Sequence, residues 1–137
     1  MVAISFSDSK LLEKLLSGEK DQTIRPFSER RYRQITKIRK LQIYWKQRTK
    51  ESRKLFDAEL TEIFLIYLIN PETKEEWPHK IENQKLTPLT QEEAEELVRR
   101  DGFKNIRELY AWFKQRYKKQ KEKLEGKFMV IRFRRTK

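Results

Sequence analysis

Residues 17–26 read Ser-Gly-Glu-Lys-Asp-Gln-Thr-Ile-Arg-Pro, and they mark a change from a helical pattern to an extended one. The leucine-rich run just before them repeats with helical spacing. Gly18 follows that run where a left-handed helix cap belongs. Thr23 and Arg25 are two positions apart, so an extended backbone places their side chains on one side. The stretch therefore predicts a helix, a glycine turn and a short strand that Pro26 stops.

Alternating apolar and polar residues predict four further strands on either side of this stretch. They are expected at residues 2–6, 41–45, 55–69 and 127–134, and the third is long enough to bend or break once. Residues 46–54 are almost wholly polar and basic, which is typical of an exposed hairpin loop.

Two helices are predicted in the second half of the chain. Thr90 with Glu93, and Asn105 with Glu108, have the spacing of capping boxes at the start of apolar helical stripes. Residues 70–89, which precede them, have the pattern of a loop.

These elements predict an α+β fold in which a small β-barrel carries one N-terminal helix and two helices from the C-terminal half. Ser28 is expected to cap a further basic turn or helix. Residues 1–137 are expected to form one domain, because the length suits one domain and no repeat or low-complexity linker interrupts it.

Composition excludes several kinds of site. The chain has no cysteine, and its one histidine, His79, leaves little for a zinc site or a Ser-His-Asp triad. Placed beside Pro78 in a loop, His79 is predicted to be a surface residue without a special role. No metal and no cofactor are expected.

Because no apolar run approaches the ~20 residues that cross a bilayer, no membrane partner is expected and the cytoplasm is the expected compartment. The charged fraction of 39% resembles that of proteins from hot environments.

The net charge of +12 is unevenly distributed along the chain. Residues 20–54 and residues 102–137 each carry thirteen Lys or Arg against three acids, whereas residues 57–101 carry twelve acids against five bases. If the two basic blocks meet in space, they form a positive face that attracts phosphate backbones. The alternative is an ordinary solvated surface.

The segment after Gly18 contains a candidate binding set. Lys20, Thr23 and Arg25 combine a point cation, a hydroxyl and a planar fork of donors, which fits a phosphate, a carbonyl or a nucleobase edge. The plainer interpretation is that Thr23 pairs within its strand and that Arg25 pairs with an acid such as Asp57 or Glu59.

A second candidate set surrounds the predicted hairpin loop. Trp45 shares its side of the strand with Leu41 and Ile43 and is predicted to be core, whereas Tyr44 faces the other way and is the candidate for stacking on a base. The cations expected to contact RNA phosphates beside it are Arg48, Lys50, Arg53 and Lys54.

A longer pattern after the leucine-rich helix resembles the hallmark motif of ASCH domains, the PUA-like domains named for activating signal cointegrator homology: Gly18-x-Lys20-x-x-Thr23-x-Arg25. The resemblance extends over nearly the full chain, as in single-domain prokaryotic or archaeal members. Residues 40–45 match the family's central strand and residues 128–133 its closing strand. Residues 94–109 match its helix–DGF–helix segment through Asp101-Gly102-Phe103.

Two departures from the family pattern leave the substrate class open. Many members place a Gly-Asp pair just before the central strand, where this chain has Ile38-Arg39-Lys40. The basic insertion around Arg48 to Lys54 is also longer than a compact family hairpin needs.

The resemblance implies a PUA-like mixed β pseudo-barrel with a cleft beside the motif, and RNA or a nucleotide as the ligand of a monomer. The contacts implied there are those of the motif, Gly18, Lys20, Thr23 and Arg25, in addition to the hairpin set.

The resemblance also allows an enzyme. A bacterial branch hydrolyses acetylated cytidine with a lysine, a threonine and a downstream acid, which fall on Lys20, Thr23 and Asp101, although this chain has Asp where that branch has Glu. Another branch consists of ribonucleases, so the family alone does not decide the chemistry. Asp101-Gly102 is also ordinary chemistry for a helix end. A binding module, a hydrolase, and an interaction domain for a protein partner therefore stay open.

Overall fold

The computed structural model describes residues 1–136, which contain seven strands and five helices. The strands are β1 (Val2–Phe6), β2 (Gln22–Pro26), β3 (Lys40–Trp45), β4 (Arg53–Ile69), β5 (Glu76–Glu82), β6 (Lys85–Pro88) and β7 (Lys127–Arg135). The helices are α1 (Ser9–Ser17), α2 (Glu29–Ile38), α3 (Gln91–Arg100), α4 (Ile106–Arg116) and α5 (Lys121–Leu124). None of these helices is long and apolar enough to cross a membrane.

The strands form one mixed sheet built around the long strand β4. The order along the sheet is β1-β3-β4-β5-β6, and β7 pairs with β4 and with β2. β1 runs parallel to β3, and the other pairs are antiparallel. Because β4 pairs with β3 near its start and with β5 near its end, and its register shifts between Leu60 and Glu62, the sheet curls into a half-barrel. The α+β fold with a mixed β pseudo-barrel is the predicted one.

Two apolar cores lie on opposite faces of β7, which is buried from Phe128 to Phe133. Met129, Ile131 and Phe133 join a core with β1, β3 and α2, and thus share one side as their alternation predicts. Phe128 and Val130 join the other core, under α3 and α4. β2 pairs along β7 and contributes Ile24 to this second core, so Thr23 and Arg25 lie on the other side of the strand.

The helix ends follow the sequence signals. Gly18 has a φ of +85° and caps α1 in the left-handed conformation. Ser28 caps α2, and Thr90 with Glu93 forms the full capping box of α3. The Asn105 side chain accepts a hydrogen bond from the backbone N–H of Glu108, which is one half of the second predicted box. The short helix α5 was not predicted.

The prediction of a loop over residues 70–89 is wrong, because β5 and β6 form a hairpin there. Its turn residues, Asn83 and Gln84, both have positive φ, so the chain makes this tight turn without the glycine that usually signals one. His79 is likewise not a surface residue. It is 5% exposed in β5, where its Nδ1 lies 2.7 Å from the carbonyl oxygen of Trp77.

Candidate functional site

Two turns meet at the centre of the candidate site. The turn after α1 is tied down by a hydrogen bond from the Lys20 N–H to the Lys14 carbonyl (2.9 Å), and Asp21 N–H donates to the last residue of α3, Arg100 (3.1 Å). The turn after α3 contains Gly102, with a φ of +93°. The positive φ requires glycine here, and a Cβ at this position would lie tightly against Leu11 (3.3 Å) and in contact with the side chain of Lys20 (3.5 Å).

Lys20 is the most unusual residue of the site, since it is charged and only 2% exposed. Its Nζ donates to the backbone carbonyl of Asp101 (2.8 Å), lies 3.5 Å from Oδ1 of the same residue, and sits 5.5 Å from the ring centre of Phe6. Burial lowers the pKa of the Lys20 ammonium below its usual 10.5; the Asp101 carboxylate opposes this, and the Arg25 guanidinium adds to it.

Thr23 and Arg25 point to the same side of β2, as their spacing predicts. The Nε of Arg25 donates to Thr23 Oγ1 (2.9 Å), and its Nη2 donates to the Ser5 carbonyl (2.7 Å). The alternative pairing of Arg25 with Asp57 or Glu59 is wrong. Asp57 pairs with Lys54, and Glu59 pairs with Arg134. The Arg25 guanidinium instead bonds to the end of β1.

A cavity of about 120 Å³ brings the predicted polar residues together. Lys20, Thr23, Arg25 and Asp101 all line it. Its remaining wall is aromatic and basic, and consists mainly of Phe6, Trp112, Arg116 and Tyr117.

The aromatic wall was not predicted as part of a site. Trp112 and Tyr117 have helical spacing typical of core residues, and only the packing of the end of α4 against the turns reveals that they border the cavity. Trp112 is half-buried, and its indole Nε1–H donates to Asp8 Oδ2 (3.1 Å). Arg116 at the end of α4 supplies a further cation.

A chain of hydrogen bonds that begins at Gln22 holds the carboxylate of Asp101 in position. Gln22 donates through Nε2 to Asp101 Oδ1 (3.1 Å), and its Oε1 accepts from Nε of Arg132 (2.9 Å). The Nη1 of Arg132 then reaches Glu62 (2.9 Å) and Glu96 (3.0 Å). Asp101 does end a helix, as its plainer interpretation states, but at 4% exposure it also belongs to this buried polar network.

The hairpin set adjoins the cavity through Ser5. In the parallel pairing of β1 with β3, Ser5 lies beside Tyr44, and both are half-buried on the same side of the sheet. Lys54 lies next to Tyr44 on β4 and pairs with Asp57 (3.1 Å). Trp45, on the other side, is buried as predicted. Arg48, Lys50 and Arg53 are exposed, and Gly18 caps α1 outside the cavity lining.

Residues 1–136 contain no cluster of three or more His, Cys, Asp or Glu side chains that could hold a metal ion.

The crystal structure of hypothetical protein PH0355 matches 99% of this chain and 100% of its own, with a TM-score of 0.54 and 19% sequence identity. At this identity the match shows the fold alone, and it agrees with the mixed α+β pseudo-barrel. No family model and no curated protein matches the chain. Membership of the ASCH family therefore stays a prediction.

Proposed function

We propose that this protein is a nucleic-acid-binding domain of the ASCH type that holds a base of RNA, or a free nucleotide, in the cavity. The observation that carries the proposal is the convergence of Lys20, Thr23, Arg25 and Asp101 in one small cavity with aromatic walls. These residues come from two segments far apart in sequence, the turn after α1 with the following strand β2, and the end of α3.

The size and the chemistry of the cavity suit one nucleobase. At about 120 Å³ the cavity is close to, and somewhat smaller than, an engineered cavity of ~150 Å³ that holds benzene, so its size is that of a single planar ring and it excludes a whole nucleotide. The Lys20 ammonium donates hydrogen bonds, the Asp101 carboxylate accepts them, and the Thr23 hydroxyl does both. Phe6, Trp112 and Tyr117 provide rings on which a base can stack.

The surface beside the cavity suits a phosphate backbone. Tyr44 lies next to the cavity-lining Ser5, and the exposed cations of the hairpin follow directly in sequence. A protein partner for this basic surface would leave the small polar cavity beside it without a ligand, which is why we favour RNA. One chain lines the whole cavity, so a monomer can bind the ligand that we propose. We place this binding in the cytoplasm.

A second candidate function, hydrolysis of a modified nucleoside or of RNA, is favoured by the contact between Lys20 and Asp101. A lysine whose pKa is lowered by burial can lose a proton more readily, or can donate to a developing oxyanion. In such an enzyme Thr23 would orient the attacking water, and Asp101 would carry the proton from water to the leaving group.

Equilibrium binding of the four nucleoside monophosphates and of short single-stranded RNA tests the proposed function. Lys20→Ala should weaken binding at least about tenfold, because a hydrogen bond from a charged group contributes about 1.5–3 kcal/mol. Lys85→Ala, which removes an exposed lysine on the far edge strand β6, serves as the matched control and should bind like the wild type. No binding of any of these ligands by folded wild-type protein would refute the proposal.

Turnover of acetylated cytidine and of short RNA separates the two functions. An enzyme requires turnover that Lys20→Ala and Asp101→Asn both abolish, with ligand affinity retained in the Asp101 variant. No turnover by highly purified protein, together with weaker RNA binding by Lys20→Ala, would establish a binding module.

A further inference from the structure

The mouth of the cavity opens onto a basic depression on the protein surface. Ser5 and Ser7 line the cavity and also line this depression, whose other wall is the loop from Lys46 to Glu51. The two spaces are therefore neighbours that share part of one wall.

The position of this loop relative to the cavity is fixed by backbone contacts. The N–H of Lys46 donates to the carbonyl of Phe6 (2.8 Å), and the N–H of Gln47 donates to Ser5 Oγ (3.0 Å). The Lys46 ammonium contacts Glu51 (2.6 Å), whereas Lys50 makes no ion pair with any residue from 1 to 136. The loop thus presents at least one uncompensated cation beside the cavity.

A second basic segment adjoins the cavity from the end of α4. Arg116 and Tyr117 line the cavity, and the chain that follows directly carries four exposed lysines. They are Lys118, Lys119, Lys121 and Lys123. Arg116 therefore borders the cavity directly, the exposed lysines follow it in the connection to α5 and in α5, and the 46–51 loop adds cations in the neighbouring depression.

The cavity volume determines which part of a ligand it can hold. Sites for whole drug-sized molecules measure about 300–1,000 Å³, so about 120 Å³ leaves no room for a sugar and a phosphate beside a base. Those groups must lie outside, where the depression lined by the 46–51 loop and the side chain of Arg116 adjoin the cavity. A base stacked within a duplex cannot enter such a cavity unless it leaves the stack.

We propose, building on the proposed function, that the ligand is a segment of single-stranded RNA rather than a free nucleotide or a duplex. One unstacked base occupies the cavity. The phosphate on one side of it lies against Lys46 and Lys50, and the phosphates on the other side lie against the lysines of residues 118–123. Ser5 and Ser7 mark the point where the strand leaves the cavity for the loop.

The test compares nucleoside monophosphates with homopolymeric RNA of about seven nucleotides, a length within the known site sizes of strand-binding domains. For wild-type protein in 0.1 M salt, the best heptamer should bind at least about tenfold more tightly than its monophosphate. The reason is that each additional phosphate contact raises the logarithm of the association constant by about 0.7 at this salt concentration. Lys46→Ala/Lys50→Ala should reduce the advantage of the heptamer over the monophosphate, and should make the slope of log affinity against log salt shallower by about 1.4.

Lys80→Ala/Lys85→Ala provides a matched control at the far edge of the sheet. It also removes two positive charges and one exposed ion pair, that of Lys80 with Glu82, and it should bind the heptamer like the wild type. Equal losses in the two double variants would overturn the inference, as would a duplex that binds as tightly as the single strand. A heptamer that binds no more tightly than a monophosphate would overturn the inference and leave the proposed function intact. Absence of binding by both ligands would refute the proposed function as well.

Discussion

At the scale of single residues, Lys20 is a charged side chain in a buried position, where its desolvation lowers the stability of the folded protein. Transfer of an ammonium out of water costs several kcal/mol unless it is paired and hydrogen-bonded. Here the carbonyl and the carboxylate of Asp101 and the ring of Phe6 offset part of that cost. The remaining cost appears as the lowered pKa of Lys20, and it is the kind of strain that proteins retain at sites of binding or catalysis.

The lowered pKa of Lys20 predicts a particular dependence of stability on pH. Between the folded-state pKa and the ordinary 10.5, the unfolded chain binds more protons than the folded one, so the free energy of unfolding rises with pH. Lys20→Met should lack this rise. Chemical denaturation of both proteins at a series of alkaline pH values measures the difference.

The comparison with the variant is needed because two tyrosines act in the opposite direction. Burial raises the pKa of Tyr110 and of Tyr117, and each therefore lowers stability as pH increases past its unfolded value of 10. Both tyrosines remain in the Lys20→Met protein, so their effects cancel in the difference. Parallel stability curves for the two proteins would contradict the account of Lys20.

The sequence predicted the residues of the β2 segment better than their partners. The spacing of Thr23 and Arg25 is enough to place both on one side of a strand, and the structure agrees. The contact of Gln22 with Arg132 joins residues 110 positions apart, and no local pattern could reveal it. The error at His79 has a similar cause, since its burial depends on the hairpin that covers it.

At the scale of elements, the site is built where two helix ends meet one strand. α1 and α3 each end in a glycine turn, and each turn delivers one member of the Lys20–Asp101 pair. Short signals of capping predicted both helix ends. The β5–β6 hairpin was missed because its turn has no glycine, and positive φ at Asn83 and Gln84 is not evident from composition.

The two glycines provide a matched pair of variants. Gly18 and Gly102 both have positive φ, so alanine at either should destabilise the fold by about 1–2 kcal/mol. A Cβ at Gly18 has nothing within 4 Å, whereas one at Gly102 meets Leu11 at 3.3 Å and the Lys20 side chain at 3.5 Å. Gly102→Ala should therefore also weaken nucleotide binding, and Gly18→Ala should not.

Thermal or chemical unfolding and nucleotide titration, carried out on both glycine variants, measure these two effects separately. Equal loss of affinity in the two proteins, at matched folded fractions, would contradict the claim that the Gly102 turn determines the position of the Lys20 side chain.

At the scale of the whole molecule, cations from both basic blocks lie near the cavity. The loop of residues 46–51 borders the depression that shares Ser5 and Ser7 with the cavity, and Arg116 of the second block lines the cavity itself. The acidic middle block lies in β4, β5 and α3, and two of its members, Glu62 and Glu96, pair with Arg132. The uneven charge of the sequence predicts a polarised molecule if its two basic blocks meet in space, whereas the cavity beside Arg116 could be found only from the tertiary structure.

This distribution of charge predicts that RNA binding weakens steeply with salt. A strand that contacts about five phosphates should give a slope near −3.5 in a plot of log affinity against log salt, because each contact releases a condensed counterion. Fluorescence anisotropy of a labelled heptamer at a series of salt concentrations gives the slope directly. A flat dependence would mean that the basic segments do not contact the backbone.

The central claim, that the cavity itself holds the base, is tested most directly by the tryptophan indole signals in an NMR titration with nucleoside monophosphates. Trp112 borders the cavity, whereas Trp77 lies elsewhere, with its indole N–H bonded to the Leu89 carbonyl (2.9 Å), so one spectrum contains both the reporter and its control. Trp112→Phe and Trp77→Phe assign these two of the three indole signals, and the third belongs to Trp45. We predict a saturable shift of the Trp112 signal, with the Trp77 signal unchanged. Saturable binding that leaves the Trp112 signal in place, or that moves both signals equally, would contradict the claim.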